Sequence, residues 1–225
     1  MLNGVLITHL HSDHITDLND VITSAWIATF AEQEPLQIVG PPGTKEVVDR
    51  LLHFLSFDIK YRIDHHEDLN EPPAVNVTEI ESGVVELKGD VKISTELTDH
   101  HPVGPTIAFR FDHGNDAVVV AGDTIPCAGL DKLCTGAKGL VHTVIRKDII
   151  ESIPLQRLQD VCDYHSSVEE ASQTAERAGI ETLVFTHYVP AFPSGQEEEW
   201  EKIAAQHFSG RIELGDDLHR VEIGE

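Results

Sequence analysis

The chain has 225 residues, 40% of them hydrophobic, and its 16 basic and 39 acidic residues leave a formal charge of −23. That length suffices for a sizeable core, in one large domain or in two small ones. The acidity argues against broad electrostatic adhesion to nucleic acid, although bound divalent ions would supply positive charge that this count omits, so phosphoester chemistry stays open.

In chain order, Val5-Leu6-Ile7 is expected to form a buried strand that feeds the run Thr8-His9-Leu10-His11-Ser12-Asp13-His14. Neutral imidazole and carboxylate are the preferred ligands of zinc and similar ions, and three histidines with an aspartate inside six residues point to metal. On an extended segment His9, His11 and Asp13 project to one side, while His14 begins a helical pattern and comes from another direction, so one short loop can serve two adjacent ions. Ile15, Leu18, Val21, Ile22, Ala25, Trp26 and Thr29 then share one helical face, in a helix that ends before Pro35. Residues 36–39 form a second strand, closed by the turn Gly40-Pro41-Pro42-Gly43, and a helix follows from Thr44 to about Phe57. Residues 75–80, 84–87, 91–97, 106–111 and 117–120 alternate as short strands between turns. The last third alternates strand and helix: a strand over 140–145, a helix over 168–178, a strand over 182–186 and a helix over 196–207. Ser166-Ser167-Val168-Glu169-Glu170 holds two overlapping S-x-x-E capping boxes, which mark a helix start.

No apolar run approaches the roughly 20 residues that cross a bilayer, and the N-terminal residues have no basic n-region, so neither a membrane span nor a signal peptide is expected. Cys127, Cys134 and Cys162 are odd in number and lack CxxC spacing, the pattern of reduced thiols in a cytoplasmic protein.

Four further places repeat the arrangement of an apolar strand ending in a metal-capable residue: Asp99-His100-His101-Pro102, Gly122-Asp123-Thr124, His142 and Thr186-His187. Ligands gathered from separate strand ends are held by a rigid scaffold. Two ions about 3.5–4 Å apart clamp both the attacking and the leaving oxygen of a displacement. A carboxylate with its two oxygens is the natural bridge, and Asp123 is the best candidate. His100 and His101 point to opposite sides of an extended segment, so only one is expected to be a ligand, and the D-H-x-P register favours His100.

T-H-L-H-S-D-H, D-H-x-P, G-D-T and T-H-Y-V-P, in this order, resemble the metallo-β-lactamase fold hydrolases, specifically their ribonuclease Z-like branch. The resemblance implies a four-layer αββα sandwich over residues 1–225. It implies that His9, His11 and His100 bind one zinc, that Asp13, His14 and His187 bind a second, and that Asp123 bridges them. Tyr164-His165-Ser166-Ser167 resembles the branch's H-S-T motif, which makes His165 the general acid toward the leaving 3′-oxygen, with Asp13 as its partner. The resemblance further implies that a hydroxide held between the metals would attack phosphorus. Ser166, Ser167 and Thr124 are expected to contact substrate, unless they serve as caps and turns.

The activity so implied is phosphodiester hydrolysis, with precursor tRNA as substrate, in a homodimer. The alternatives are another hydrolase of the fold, arylsulfatase-like or a small-molecule esterase, and an inactive metal-binding remnant. Two departures bear on this. Family members carry opening strands and an L-G-T-G turn ahead of the metal motif, and this chain begins at the motif strand, so the sandwich is expected to lack its N-terminal strands. Those that grip tRNA do so with a Gly/Pro-rich basic arm, and residues 43–98 contain no such insertion; His142-Thr143-Val144-Ile145 replaces the branch's H-E-A-T-like loop, leaving Arg146 and Lys147 to meet a phosphate.

Overall fold

In the computed structural model, which describes residues 2–28, 34–191 and 195–224, the chain falls into two units: residues 1–81 with 87–89, and residues 82–86 with 90–225. In the first unit β1 (Val5–Leu6), β2 (Leu36–Gly40) and β3 (Val75–Glu79) form a parallel sheet in that order. Parallel strands require crossovers. Here these are α1 (Ser12–Ile15) with α2 (Leu18–Ile27), then α3 (Thr44–Phe54) with α4 (Ser56–His65). Leu18, Ile22 and Trp26, each four residues apart, are the buried stripe of α2. With Ile7, Leu36, Ile38 and Val48, Leu18 and Ile22 make the core of this unit. Thr29, expected on the same face, lies outside the described residues.

Gly43 opens α3 at φ +101°, a left-handed conformation that glycine adopts without strain. Having no side chain, it cannot cap. The Glu79 carboxylate at the end of β3 caps instead, accepting from the backbone N–H of Gly43 at 2.7 Å and of Lys45 at 3.0 Å.

The second unit holds β4 (Gly83–Val85), β5 (Lys92–His100), β6 (Val103–His113), β7 (Asp116–Val120), β8 (Gly139–Ile145), β9 (Thr182–Val189) and β10 (Arg211–Leu214). Their order in the sheet is β10-β9-β8-β7-β6-β5-β4. The β4–β7 run is antiparallel, whereas β7 to β10 pair in parallel. The helices are α5 (Ala128–Cys134), α6 (Lys147–Glu151), α7 (Gln156–Gln159), α8 (Val168–Ala178) and α9 (Glu197–Ala204), with a 3-10 turn at Asp160–Asp163. The core gathers Val119, Leu130, Leu140, Leu183, Phe185 and Trp200, among others.

Of the two capping boxes, the chain uses the second. Ser167 Oγ accepts from the Glu170 N–H at 3.2 Å, and the Glu170 carboxylate accepts from the Ser167 N–H at 2.9 Å. Cys127, Cys134 and Cys162 are free thiols, as expected; burial pushes the Cys134 thiol up to about 12. Among the described residues no helix is long and apolar enough to cross a membrane.

Candidate metal centre

In the first unit β1 ends at Leu6 and the chain leaves it extended through the histidine run. His9 is fully buried, and its Nε2 shares a hydrogen bond with His11 Nδ1 at 3.1 Å. The His9 and His14 ring centroids lie 4.1 Å apart. The structure corrects the simple alternation. α1 begins at Ser12, so Asp13 leaves the segment on a helical turn beside His14, their Oδ2 and Nε2 separated by 3.6 Å, and does not extend the line of His9 and His11. The motif thus presents His9 with His11 and Asp13 with His14.

In the second unit the hub is Asp123, just beyond β7 and 2% exposed. Its Oδ2 has His165 Nε2 at 3.3 Å, His187 Nε2 at 3.7 Å and His100 Nε2 at 4.0 Å. Each imidazole arrives from a different place: His100 from the end of β5, beside a register shift; His165 from the segment before α8; and His187 from β9, at φ +52°. A non-glycine residue in the left-handed region carries strain, of the kind that collects at functional sites. His100 is buried and His101 is exposed, so one of the adjacent pair faces inward.

The other nitrogens are fixed by backbone carbonyls. His100 Nδ1–H donates to Tyr164 O at 2.7 Å, and His165 Nδ1–H donates to Val161 O at 3.0 Å. This pins each ring with Nε2 turned to the carboxylate, as histidines that ligate metals are commonly pinned. The Tyr164 ring packs edge-on against His100 at 5.1 Å and tilted against His165 at 4.9 Å. Sequence reasoning missed this role of the Asp160–Tyr164 segment, because a carbonyl partner leaves no mark on residue identity.

The three hydroxyls expected at the substrate are engaged within the protein. Thr124 Oγ1 bonds Asp99 and Ile125 backbone, Ser166 Oγ donates to Thr124 O at 2.7 Å, and Ser167 caps α8. Thr124 and Ser166 hold the turn beside Asp123 by these bonds. Arg146 and Lys147 are likewise engaged, in ion pairs. The Arg146 guanidinium binds Asp148 and Glu199 at 2.7 and 3.1 Å over the Trp200 ring, and Lys147 binds Glu170 at 2.8 Å. The hydrogen bond to Asp148 raises the Arg146 pKa and lowers its partner's. His142 is entirely buried in β8, its Nδ1–H donating to Thr143 O at 2.7 Å, and desolvation lowers its pKa to about 4. Of the histidines outside every motif, His53, His65, His66, His113 and His219 are exposed and His207 is half-buried.

A family model described as a β-lactamase superfamily domain matches residues 1–188. Over 223 residues the chain is 60% identical to the ribonuclease Z of Mycolicibacterium paratuberculosis (strain ATCC BAA-968 / K-10), a match that covers 99% of this chain and 80% of that protein. The chain belongs to the ribonuclease Z family. Two solved structures are similar in fold. The metallo-β-lactamase fold protein YhfI of Bacillus subtilis is 19% identical with a TM-score of 0.69, over 95% of this chain and 74% of that one. Human tRNase Z, short form, is 18% identical with a TM-score of 0.67, over 99% of this chain and 80% of that one. The metallo-β-lactamase fold expected from the four motifs is therefore the fold of this member of the ribonuclease Z family, and with its imidazole and carboxylate donors it points to metal binding.

Proposed function

We propose that residues 1–225 act as one hydrolase domain of the ribonuclease Z type, a cytoplasmic, dinuclear zinc phosphodiesterase whose substrate is the 3′ region of precursor tRNA. The observation that carries the reading is the convergence of His100, His165 and His187 Nε2 on one buried oxygen of Asp123. A buried carboxylate ringed by imidazole nitrogens at 3.3–4.0 Å fits a borderline divalent ion better than an apolar or purely structural role. The His9–His11 nitrogens, 3.1 Å apart, suit the same chemistry. In this reading His9, His11 and His100 hold one zinc, Asp13, His14 and His187 the other, and Asp123 both. Zinc at such a site supplies Lewis acidity and lowers the pKa of water toward 7.

The rest falls to the chain's own side chains. Asp123 fixes the orientation of the imidazoles around it. His165, held at Nδ1 by the Val161 carbonyl, keeps Nε2 directed into the site, where it gives its proton to the departing 3′-oxygen, with Asp13 as partner. Ser166 and Thr124 keep the Asp123 turn in place.

A second reading is favoured by the charge of −23 and by the engagement of Arg146 and Lys147 in ion pairs: a small ester as substrate, with weak binding of tRNA. The test measures zinc per chain, cleavage of a precursor tRNA, and hydrolysis of bis(p-nitrophenyl) phosphate, sulfate esters and carboxylate esters, in wild type and in Asp123→Asn. Two zincs and tRNA cleavage, both lost in Asp123→Asn, are the expected result. Hydrolysis of esters without tRNA cleavage selects the second reading, and zinc-free, inert wild-type protein defeats both.

A further inference from the structure

Beside the Asp123 hub, and lined only by residues of the second unit, lies a cleft of about 720 Å³, the size of pockets that take one small molecule. Tyr164 joins the two. Its ring centroid lies 5.1 Å from that of His100 and 4.9 Å from that of His165, and the same side chain lines the cleft. Exposed His101 and Pro102 form another part of the wall, so the two histidines of the adjacent pair serve different places, His100 the hub and His101 the cleft.

The charged groups of the cleft are of two kinds. Asp99 accepts from the His101 backbone N–H at 3.2 Å, and Asp160 accepts from Gln156 Nε2 at 2.8 Å. Arg157 and Asp163 are exposed, and among the described residues neither side chain has a hydrogen-bond or ion-pair partner. That sets Arg157 apart from Arg146 and Lys147, which are held in ion pairs. A guanidinium only donates and a carboxylate only accepts, so the two together offer both halves of a hydrogen-bonding edge beside an aromatic ring.

From this chemistry we infer that the cleft binds the base of the nucleotide next to the scissile phosphodiester, and that the base it selects is guanine; the placement rests on the hydrolase reading above. Three aspartates against one arginine leave the cleft negative, which opposes a phosphate and admits an uncharged base. Bases of single-stranded RNA are recognised by stacking on aromatic side chains and by hydrogen bonds to their edges. Tyr164 supplies the stacking surface. Guanine alone among the four bases carries two adjacent donors, N1–H and N2–H, which one carboxylate accepts together, and its O6 and N7 accept the arginine fork. Adenine and cytosine present a single amino group and uracil a single N–H, so each leaves half of the Asp163 carboxylate unused.

The test titrates the full chain with guanosine, adenosine, cytidine and uridine, which contain no phosphodiester to cleave, and reads binding by ligand-observed NMR. Guanosine is expected to bind about fivefold tighter than the other three, the lower end for a bidentate base contact. Asp163→Asn and Arg157→Gln are each expected to abolish that preference, with far-UV circular dichroism and zinc content unchanged. In precursor tRNAs that differ only at the bases flanking the cleavage site, guanine at one flank is expected to lower KM about fivefold, and Asp163→Asn to erase the difference. Equal or absent binding of the nucleosides, a preference for another base, or a guanosine preference that survives both variants overturns the inference, even where tRNA is cleaved. Cleavage blind to both flanking bases overturns the placement beside the scissile bond. Guanosine selection that the variants abolish, in a protein that cleaves no tRNA, upholds the base site and defeats the hydrolase reading instead.

Discussion

At the residue scale, Asp123 and His165 stand 3.3 Å apart yet have separable duties. If His165 delivers a proton and Asp123 holds metal, His165→Ala lowers kcat by about 10²- to 10⁴-fold, the usual worth of a general acid, with bound zinc unchanged. Asp123→Ala removes zinc as well. Equal zinc loss in both variants would falsify the division of roles. Tyr164 acts through others: its carbonyl fixes His100 and its ring wedges both imidazoles. Tyr164→Ala keeps the carbonyl and removes only the ring, so it is expected to weaken zinc binding by less than about 10-fold, the lower end for losing an outer hydrogen-bond partner, and Tyr164→Phe to restore it, by competition with a chromophoric chelator.

His142 makes a pH prediction of definite sign. Its pKa falls from 6.5 in the unfolded chain to about 4 in the fold, through desolvation. Between these values the unfolded chain binds the extra proton, so stability is full above pH 6.5 and declines as pH falls toward 4. The loss reaches at most about 3 kcal/mol, from 1.36 kcal/mol per pKa unit. Urea titrations at pH 7 and pH 5 on wild type and His142→Gln measure it. Parallel losses in the two proteins would remove His142 as the cause.

At the scale of elements, the start of α8 ties helix to site through two adjacent serines. Ser167→Ala removes only the cap and is expected to cost about 1 kcal/mol with activity intact. Ser166→Ala strips one of two donors from the buried Thr124 carbonyl beside Asp123, the Ser166 N–H remaining at 3.1 Å, costing about 0.5–1.5 kcal/mol and activity as well. Thermal unfolding and turnover of the two variants distinguish them, and equal activity loss in both would show that the helix start, not the Thr124 turn, supports the site. This helix was legible in the sequence because its cap is written in residue types; its span, Val168–Ala178, is that of the expected helix. α4 was not, since nothing marks where α3 yields to it except the backbone of Leu55. α5 is only seven residues long and carries Gly129, whose missing Cβ lets the helix lie directly on the Leu97 carbonyl of β5. That close approach is tertiary, and local pattern cannot announce it. The histidine and aspartate motifs were readable for the opposite reason: His9, His100 and Asp123 stand at or just beyond the ends of apolar strands, so periodicity and chemistry coincide there. The Thr124 and Ser166 hydroxyls were harder, because a turn anchor and a substrate contact use the same residue types.

At the scale of the whole molecule, charge sets how a polyanion reaches the site. Proteins that hold nucleic acid with basic surfaces lose affinity as salt rises, because each neutralised phosphate releases a counterion. This chain has the opposite balance, and among the described residues Arg146, Lys147, Lys45, Arg50, Lys60 and Arg62 are committed to carboxylates. Long-range repulsion then opposes the approach of tRNA and is what added salt screens. Between about 10 mM and 150 mM salt the Debye length shortens from about 30 Å to about 8 Å. Over that range kcat/KM for precursor tRNA is expected to rise about tenfold, the lower end of steering effects on association. For bis(p-nitrophenyl) phosphate, which carries a single charge, it is expected to change less than about twofold under the same conditions. Zinc content measured at both salt levels separates screening from a change in metal occupancy. A steep fall of the tRNA rate with salt would mean that a cationic surface grips the RNA, and would sink the repulsion argument. A rise for both substrates alike would place the effect at the metal site, since only the approach of a polyanion feels the field of the whole chain.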